Sequence, residues 1–346
     1  MSDLRHEFDH AELSEYLAQH VPGLEHLDAI TRFTGGQSNP TYKITSGTRD
    51  FVMRAKPPGK LLKSAHQVAR EFRVMKALNE TDVPVPIMLH LSADDSPLGT
   101  QFFVMEMLEG RVFWDPGLPE LGKAERTAVF DSMNATMAAL HSVDPVSIGL
   151  SDYGAPGNYF ERQVGRWTKQ YRAAELEKNP VVDWLIDWLA EAIPADDGQS
   201  RIVHGDFRLD NLMFAPDAPQ VMAVLDWELS TLGNPMADLA YQCMGLRMPN
   251  RGSSKGVGGL DRAALGIPSE DEYVAAYCQR RNIAPPADWA FFLTFSYFRL
   301  ISILQGVIRR AVDGNASNPG NMELMRAYIP LLAEAAQAVA RGKDQA

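Results

Sequence analysis

The sequence predicts an α+β protein in which a small β-rich lobe over residues 1–108 precedes a larger, mainly helical lobe over 109–346. Two observations carry this. Short β-like runs, broken by Gly and Pro turns, crowd the chain up to residue 108, while long stretches of helical apolar periodicity dominate from about residue 123. A chain of 346 residues also exceeds what one ordinary core holds.

The elements follow in order. Leu13, Tyr16 and Leu17 fall at helical spacing, so a leading helix is expected over 9–20. Strands fit 29–33, 41–45 and 51–55, with Gly35-Gly36 and Ser46-Gly47 as hairpin turns. A helix over about 64–78 opens after Pro57-Pro58-Gly59 and is closed off by Pro84 and Pro86. Strands at 87–91 and 102–108 end the small lobe, and the pattern changes at Glu109-Gly110. Helices are expected at 123–141, 158–174, 181–192, 270–281, 288–310 and 321–342, interrupted by a strand-rich insert at 202–227. Gly and Ser crowd 249–266, which reads as a mobile loop.

Hydrophobic residues make up 45% and charged residues 22%, the balance of a soluble globular chain. The net charge of -11 argues against nucleic acid as a partner, although local basic residues and a metal ion can still hold a phosphate. Two cysteines, Cys243 and Cys278, make neither a disulfide framework nor a zinc cluster. With no apolar signal core near Met1, a reducing cytoplasm is expected. The run 289–308 has the length of a membrane span. Arg299 stands at its middle, where a charge costs roughly 2.5–3.5 kcal/mol, so a helix buried in the larger lobe is expected and no membrane partner.

The strongest local signal is His204-Gly205-Asp206-Phe207-Arg208-Leu209-Asp210-Asn211, with Asp226 following the apolar run 221–225. Phosphoryl transfer asks little covalent work of a protein. It needs hard oxygens for a metal, a carboxylate beside the attacking hydroxyl, and cations on the phosphates. Asp206 can accept the hydroxyl proton, Asn211 and Asp226 can ligate Mg²⁺, and Arg208 can reach the transferring phosphoryl group. Each alone would pass for a turn or strand-end residue; the spacing of the set points to chemistry.

This motif resembles the aminoglycoside-phosphotransferase and choline-kinase-like branch of the protein-kinase-like superfamily, which carries His-Gly-Asp where protein kinases carry His-Arg-Asp. The resemblance spans residues 25–330, about the whole chain. It implies a protein-kinase-like two-lobed fold, ATP and Mg²⁺ as cofactors, and a small-molecule hydroxyl as acceptor. Asp226-Trp227-Glu228 takes the place of the kinases' Asp-Phe-Gly, and Gly233-Asn234-Pro235-Met236-Ala237-Asp238 resembles the family's turn into a helix, with Asp238 a structural brace. Residues 33–43 resemble the phosphate-covering hairpin, where Ser38 and Asn39 would donate to phosphate oxygens. Arg54 stands where the family has a strand lysine on the α and β phosphates, and Glu71 where its ion-pair partner belongs; Lys56 shares the strand face and is the alternative. Residues 104–110 resemble the hinge, with main-chain groups of Glu106 and Leu108 on the purine.

Residues 51–62 and 66–73 are most similar to the kinase-like domains fused to acyl-CoA dehydrogenases, which implies a hydroxyacyl-CoA or related acceptor beside the aminoglycoside-like one. A catalytically silent nucleotide- or ligand-binding module is the rival reading; the presence of Asp206, Asn211 and Asp226 together speaks against it. Two other signals lack their context. His6-Glu7-Phe8-Asp9-His10 has the zincin spacing, but no third ligand and no burying helix. Gly252-Ser253-Ser254-Lys255-Gly256 has the nucleophile-elbow spacing, but no strand before it. His141, at the end of an amphipathic helix, reads as a helix-capping or interface histidine, and His204 as a buried brace of the loop.

Overall fold

Period-two alternation in the N-terminal runs builds a five-stranded antiparallel sheet. Helix α1 (His10–His20), capped by Asp9, leads into β1 (Ala29–Arg32), β2 (Thr41–Ser46) and β3 (Arg49–Ala55). After α2 (Val68–Leu78) come β4 (Met88–Leu91) and β5 (Phe102–Glu106), and the strands lie in the order β1-β2-β3-β5-β4. In β2 every second residue is buried, and Tyr42 and Ile44 pack with Phe51, Met53, Phe102 and Val104 and with Leu13 and Leu17 of α1. Helix α2 buries Val68, Glu71, Val74, Met75 and Leu78, a stripe at helical spacing in which Glu71 is the charged member.

The computed structural model describes residues 8–33, 39–57, 67–94, 96–155, 157–251, 254–314 and 322–343. The chain forms two compact units. Met1–Arg111, Val146–Leu150 and Leu212–Ser230 make the first; Val112–Pro145, Ser151–Asn211 and Thr231–Ala346 make the second. The chain leaves the first unit at β6 (Arg111–Val112). Just before it, a Cβ on Gly110 would stand 2.5 Å from the Phe214 carbonyl oxygen, so only glycine fits there.

The second unit holds α3 (Lys123–Ser142), α4 (Tyr159–Ala174) and α5 (Pro180–Glu191). Asn158 and Asn179 cap α4 and α5, and Pro180 fills the first turn of α5. Strand β7 (Arg201–Val203) runs into the His204–Asn211 motif, and the chain then enters the first unit as the hairpin β8 (Leu212–Phe214) and β9 (Val221–Val224). It returns as β10 (Thr231–Gly233), which pairs with β7, and continues into α6 (Met236–Arg247). Residues 249–266 are not the open loop expected from their composition. They carry β11 (Asn250–Arg251), β12 (Ser254–Lys255) and α7 (Arg262–Leu265), and Val257 is buried. The glycines serve close approach: a Cβ on Gly256 or Gly258 would stand 1.9 Å and 2.2 Å from the Met248 and Arg247 carbonyl oxygens.

Helix α8 (Glu270–Arg281) starts with a Ser269–Glu272 capping box, and α9 (Trp289–Val312) and α10 (Met322–Ala340) complete the unit. Helix α9 is long and apolar enough to cross a membrane by length and composition, but most of it is buried among α4, α6 and α10. The sequence-expected strands and helices all occur within a few residues of their expected limits among the described residues, except that the strand expected to 108 ends at Glu106. The Gly35-Gly36 turn, and residues 64–66 at the expected start of α2, lie outside the described residues.

Candidate active site

Four groups of the second unit fix Asp206 and the loop that carries it. Strand β7 delivers the chain to His204, and Gly205 turns it with a φ of 83°, a left-handed conformation glycine adopts without strain. The Asp206 amide donates to His204 Nδ1 at 3.2 Å. Asn211, five residues on, donates its side-chain amide to both the Asp206 carbonyl oxygen (2.9 Å) and Asp206 Oδ2 (3.0 Å). That choice turns the Asn211 carbonyl oxygen away as a hard donor for a cation. Tyr241 of α6 donates its phenol to Asp206; burial and the Asp206 charge push its ionisation up to about 12, so it stays a neutral donor. Arg299, from the middle of α9, donates to the Gly205 carbonyl oxygen, with its guanidinium 5.0 Å from the Tyr241 ring and 5.5 Å from that of Trp167.

Behind this loop sits Asp238, fully buried. Its carboxylate accepts the backbone N–H of His204 (2.6 Å) and of Gly205 (2.8 Å), and the imidazole of His141 (3.2 Å). Burial opposes its charge, but the bonds from His141 and the Gly205 amide hold its carboxyl below the usual carboxylate range. Burial also drives the His141 imidazole below its ordinary value, and its other nitrogen lies 2.7 Å from the Tyr277 hydroxyl. Asp238, His141 and the wholly buried His204 therefore brace the loop from behind.

Arg208 is turned toward Asp210, with Nε 3.0 Å from one carboxylate oxygen and a terminal nitrogen on the other. Its Nε lies 3.8 Å from Asp206. Arg208 and Asp210 are the charged residues lining a cavity of about 390 Å³ within the second unit. Tyr241, which bonds the Asp206 carboxylate, also lines it. Met244, Leu246, Val257, Leu300 and Leu304 make its walls apolar.

In the first unit Arg54 of β3 bridges two carboxylates. Its Nε lies 3.0 Å from Glu71, and a terminal nitrogen donates to Asp226 at 3.2 Å. Asn39 donates to the other oxygen of Glu71 at 2.8 Å. Burial raises the Glu71 carboxyl to about 7; Arg54 and Asn39 pull it down, while Asp226 and Glu228 push it up. Asp226 takes a left-handed φ of 62°, unusual for a residue with a Cβ, and the turn is pinned by Trp227, whose indole donates to the Val224 carbonyl oxygen at 2.9 Å. Its carboxylate remains half-exposed. Lys56 pairs instead with Asp94 at 3.0 Å, so Arg54 is the strand cation beside Glu71. The Glu106 amide is committed to the Ile87 carbonyl oxygen, which confines any purine contact by Glu106 to its own carbonyl. Leu108 lies half-buried just past β5, and Ser38 lies outside the described residues.

Two residues of the site were not assigned to it from the sequence. Tyr241 sits inside a uniformly buried helix, and nothing local marks it. Arg299 had a signal, a charge inside an apolar run, and its partner is the Gly205 carbonyl oxygen of the loop.

Comparison with known proteins agrees with this geometry. The model of the phosphotransferase enzyme family matches residues 29–291. Mouse acyl-CoA dehydrogenase family member 10 is 47% identical over 290 residues, covering 84% of this chain and 27% of the relative. The chain spans less than half the length of the curated relatives it matches. A crystal structure of a candidate aminoglycoside phosphotransferase from Ralstonia eutropha superposes with a TM-score of 0.89 at 47% identity, over 98% of this chain and 100% of that one. Aminoglycoside phosphotransferase APH(4)-Ia, in ternary complex with ADP and hygromycin B, shares the kinase-like fold with a TM-score of 0.60 at 15% identity, over 97% and 100% of the two chains. By the extent of the family match and by these identities, the chain belongs to the phosphotransferase enzyme family.

Proposed function

We propose that the protein transfers the γ-phosphoryl group of Mg²⁺-bound ATP to the hydroxyl of a small molecule with an apolar tail, a hydroxyacyl thioester being the acceptor class. The observation that carries this is the Asp206 carboxylate, held by Asn211 and by Tyr241, which itself lines an apolar cavity. A carboxylate fixed in this way orients an incoming hydroxyl and accepts its proton late, as a loose phosphoryl-transfer transition state requires. Bound Mg²⁺ would neutralise phosphate charge. Asn211 and Asp226 each offer one hard oxygen, and Mg²⁺ takes few protein ligands when phosphate and water fill the rest. Arg54, oriented by Glu71, is a planar fork suited to phosphate oxygens.

The cavity supports the acceptor class. The charged residues of its lining, Arg208 and Asp210, neutralise each other, so it offers no excess negative charge to a polycationic aminoglycoside. An alkyl tail would gain roughly 0.8 kcal/mol per methylene buried there. The names of the curated relatives point the same way. The test is an acceptor screen scored by ADP release, with hydroxyacyl-CoAs, choline and aminoglycosides compared at equal concentration. Release above the acceptor-free rate is expected with hydroxyacyl-CoAs. Turnover of aminoglycosides alone would refute the acceptor class.

A further inference from the structure

Helix α6 carries a glycine that its backbone does not need. Gly245 lies inside the helix, where glycine is the poorest former after proline, and it is not among the residues of positive φ. Close packing does not require it either. Among the described residues, no atom beyond its own helix and chain neighbours lies within 4 Å of where a Cβ would stand. The space that Cβ would occupy belongs to the cavity, since Gly245 lines it. Tyr241, Gly245 and Met248 follow at intervals of four and three along one helix face, and all three line the cavity. Tyr241, at one end of this row, touches the base Asp206. Gly245 is about one turn further on, about 6 Å along the axis. Leu300 and Leu304, a turn apart on α9, also wall the cavity, as do Met325 and Tyr328 of α10.

We infer that Gly245 is a specificity-determining residue: its missing side chain makes the room that sets how long an apolar acceptor tail the cavity accepts beyond the reacting hydroxyl. This rests on the acceptor reading above and deepens it. A hydroxyl held at Asp206 directs the rest of the molecule past Tyr241, and the next residue on that face is the one without a side chain. Any side chain at 245 would occupy the tail's path, while a shorter tail would stop before reaching it.

The test replaces Gly245 by Ala and by Leu. Binding of straight-chain primary alcohols from butanol to nonanol is measured by isothermal titration calorimetry, and kcat/KM is measured for hydroxyacyl thioesters of rising tail length. In the wild type, affinity should rise about fourfold per methylene until the cavity is filled. Gly245→Leu should level off several methylenes earlier, losing on the order of a hundredfold on the longest tails and less than about twofold on the shortest. Gly245→Ala should fall between, and because alanine favours the helix its melting temperature should not drop, which separates lost room from lost folding. A Gly245→Leu length profile that superimposes on the wild type, or one lowered by the same factor at every length, overturns the proposal. Length-dependent alcohol binding that shifts in the variants, without ADP release on any tailed acceptor, would leave the tail gauge standing and refute the acceptor reading instead.

Discussion

Glu71 is the place where burial and charge oppose each other most plainly, and replacing it by Gln tests the outcome. The carboxyl is almost inaccessible, and Arg54 and Asn39 offset only part of the cost of charging it there. Its pKa is about 7 in the folded protein against an ordinary 4.5. At 1.36 kcal/mol per pKa unit, ionising it in the fold costs about 3 kcal/mol more than in the unfolded chain. The sign follows from proton counts. Below about pH 4.5 both states hold the proton; between there and pH 7 the unfolded chain releases it while the folded protein keeps it. Stability therefore falls as pH rises through this window and levels above pH 7. Glu71→Gln has nothing to titrate and lacks this fall. Guanidinium unfolding of the ligand-free protein and the variant, at about pH 5, 6, 7 and 8, gives the difference in stability at each pH. That difference should shift against the wild type by roughly 2–3 kcal/mol between pH 5 and pH 8. A flat difference, or one that moves in favour of the wild type as pH rises, would mean that the Arg54 pair outweighs burial, and the reasoning fails.

Three further outcomes are expected. Asp206→Asn keeps the size of the base and one acceptor oxygen but loses the carboxylate; kcat should drop on the order of 10²–10⁴-fold with ATP affinity nearly unchanged, read by ADP release and by calorimetry. Asp226→Ala should remove the Mg²⁺ dependence of ATP binding, and a titration with and without the metal that still shows wild-type dependence would misplace the cation. Asp238→Ala leaves two buried backbone N–H groups and the His141 imidazole without their acceptor. At about 1–3 kcal/mol for each of these three buried groups left unsatisfied, unfolding free energy should drop by roughly 3–9 kcal/mol, and equilibrium denaturation measures it.

The parts of the fold written in local periodicity were legible from sequence. Alternation in 41–45 and 51–55 and the apolar spacing of 123–141 or 288–310 each depend on neighbours a few residues away, and the strands and helices lie within a few residues of where those patterns put them. The geometry of the His204–Asn211 loop was legible for the same reason, since Asp206 and Asn211 are bonded across five residues of one turn. What the sequence left open was decided by partners far along the chain. Arg54 and Lys56 lie on one face by alternation, and only Glu71, Asp226 and Asp94 separate their roles. The glycines at 256 and 258 have the same composition whether the chain is loose or packed against carbonyl groups of Arg247 and Met248. The cavity is assembled from α6, α9, α10 and residues near Trp114, so no local pattern could announce Tyr241 or Gly245 as part of it.

The first unit is assembled from three separate stretches of the chain, the last of them Leu212–Ser230. That stretch brings Leu212, Phe214, Val224 and Trp227, all buried, and Asp226, the partner of Arg54. A ribosome making this protein therefore finishes the five-stranded sheet long before the unit has its full core. Folding from the N-terminus proceeds as residues emerge, so the nascent sheet must wait with apolar surface uncovered while the residues between are translated. A fragment ending at Arg111 would be left in that waiting condition permanently, prone to aggregate, and no single cut of the gene separates the two units as independently folding pieces.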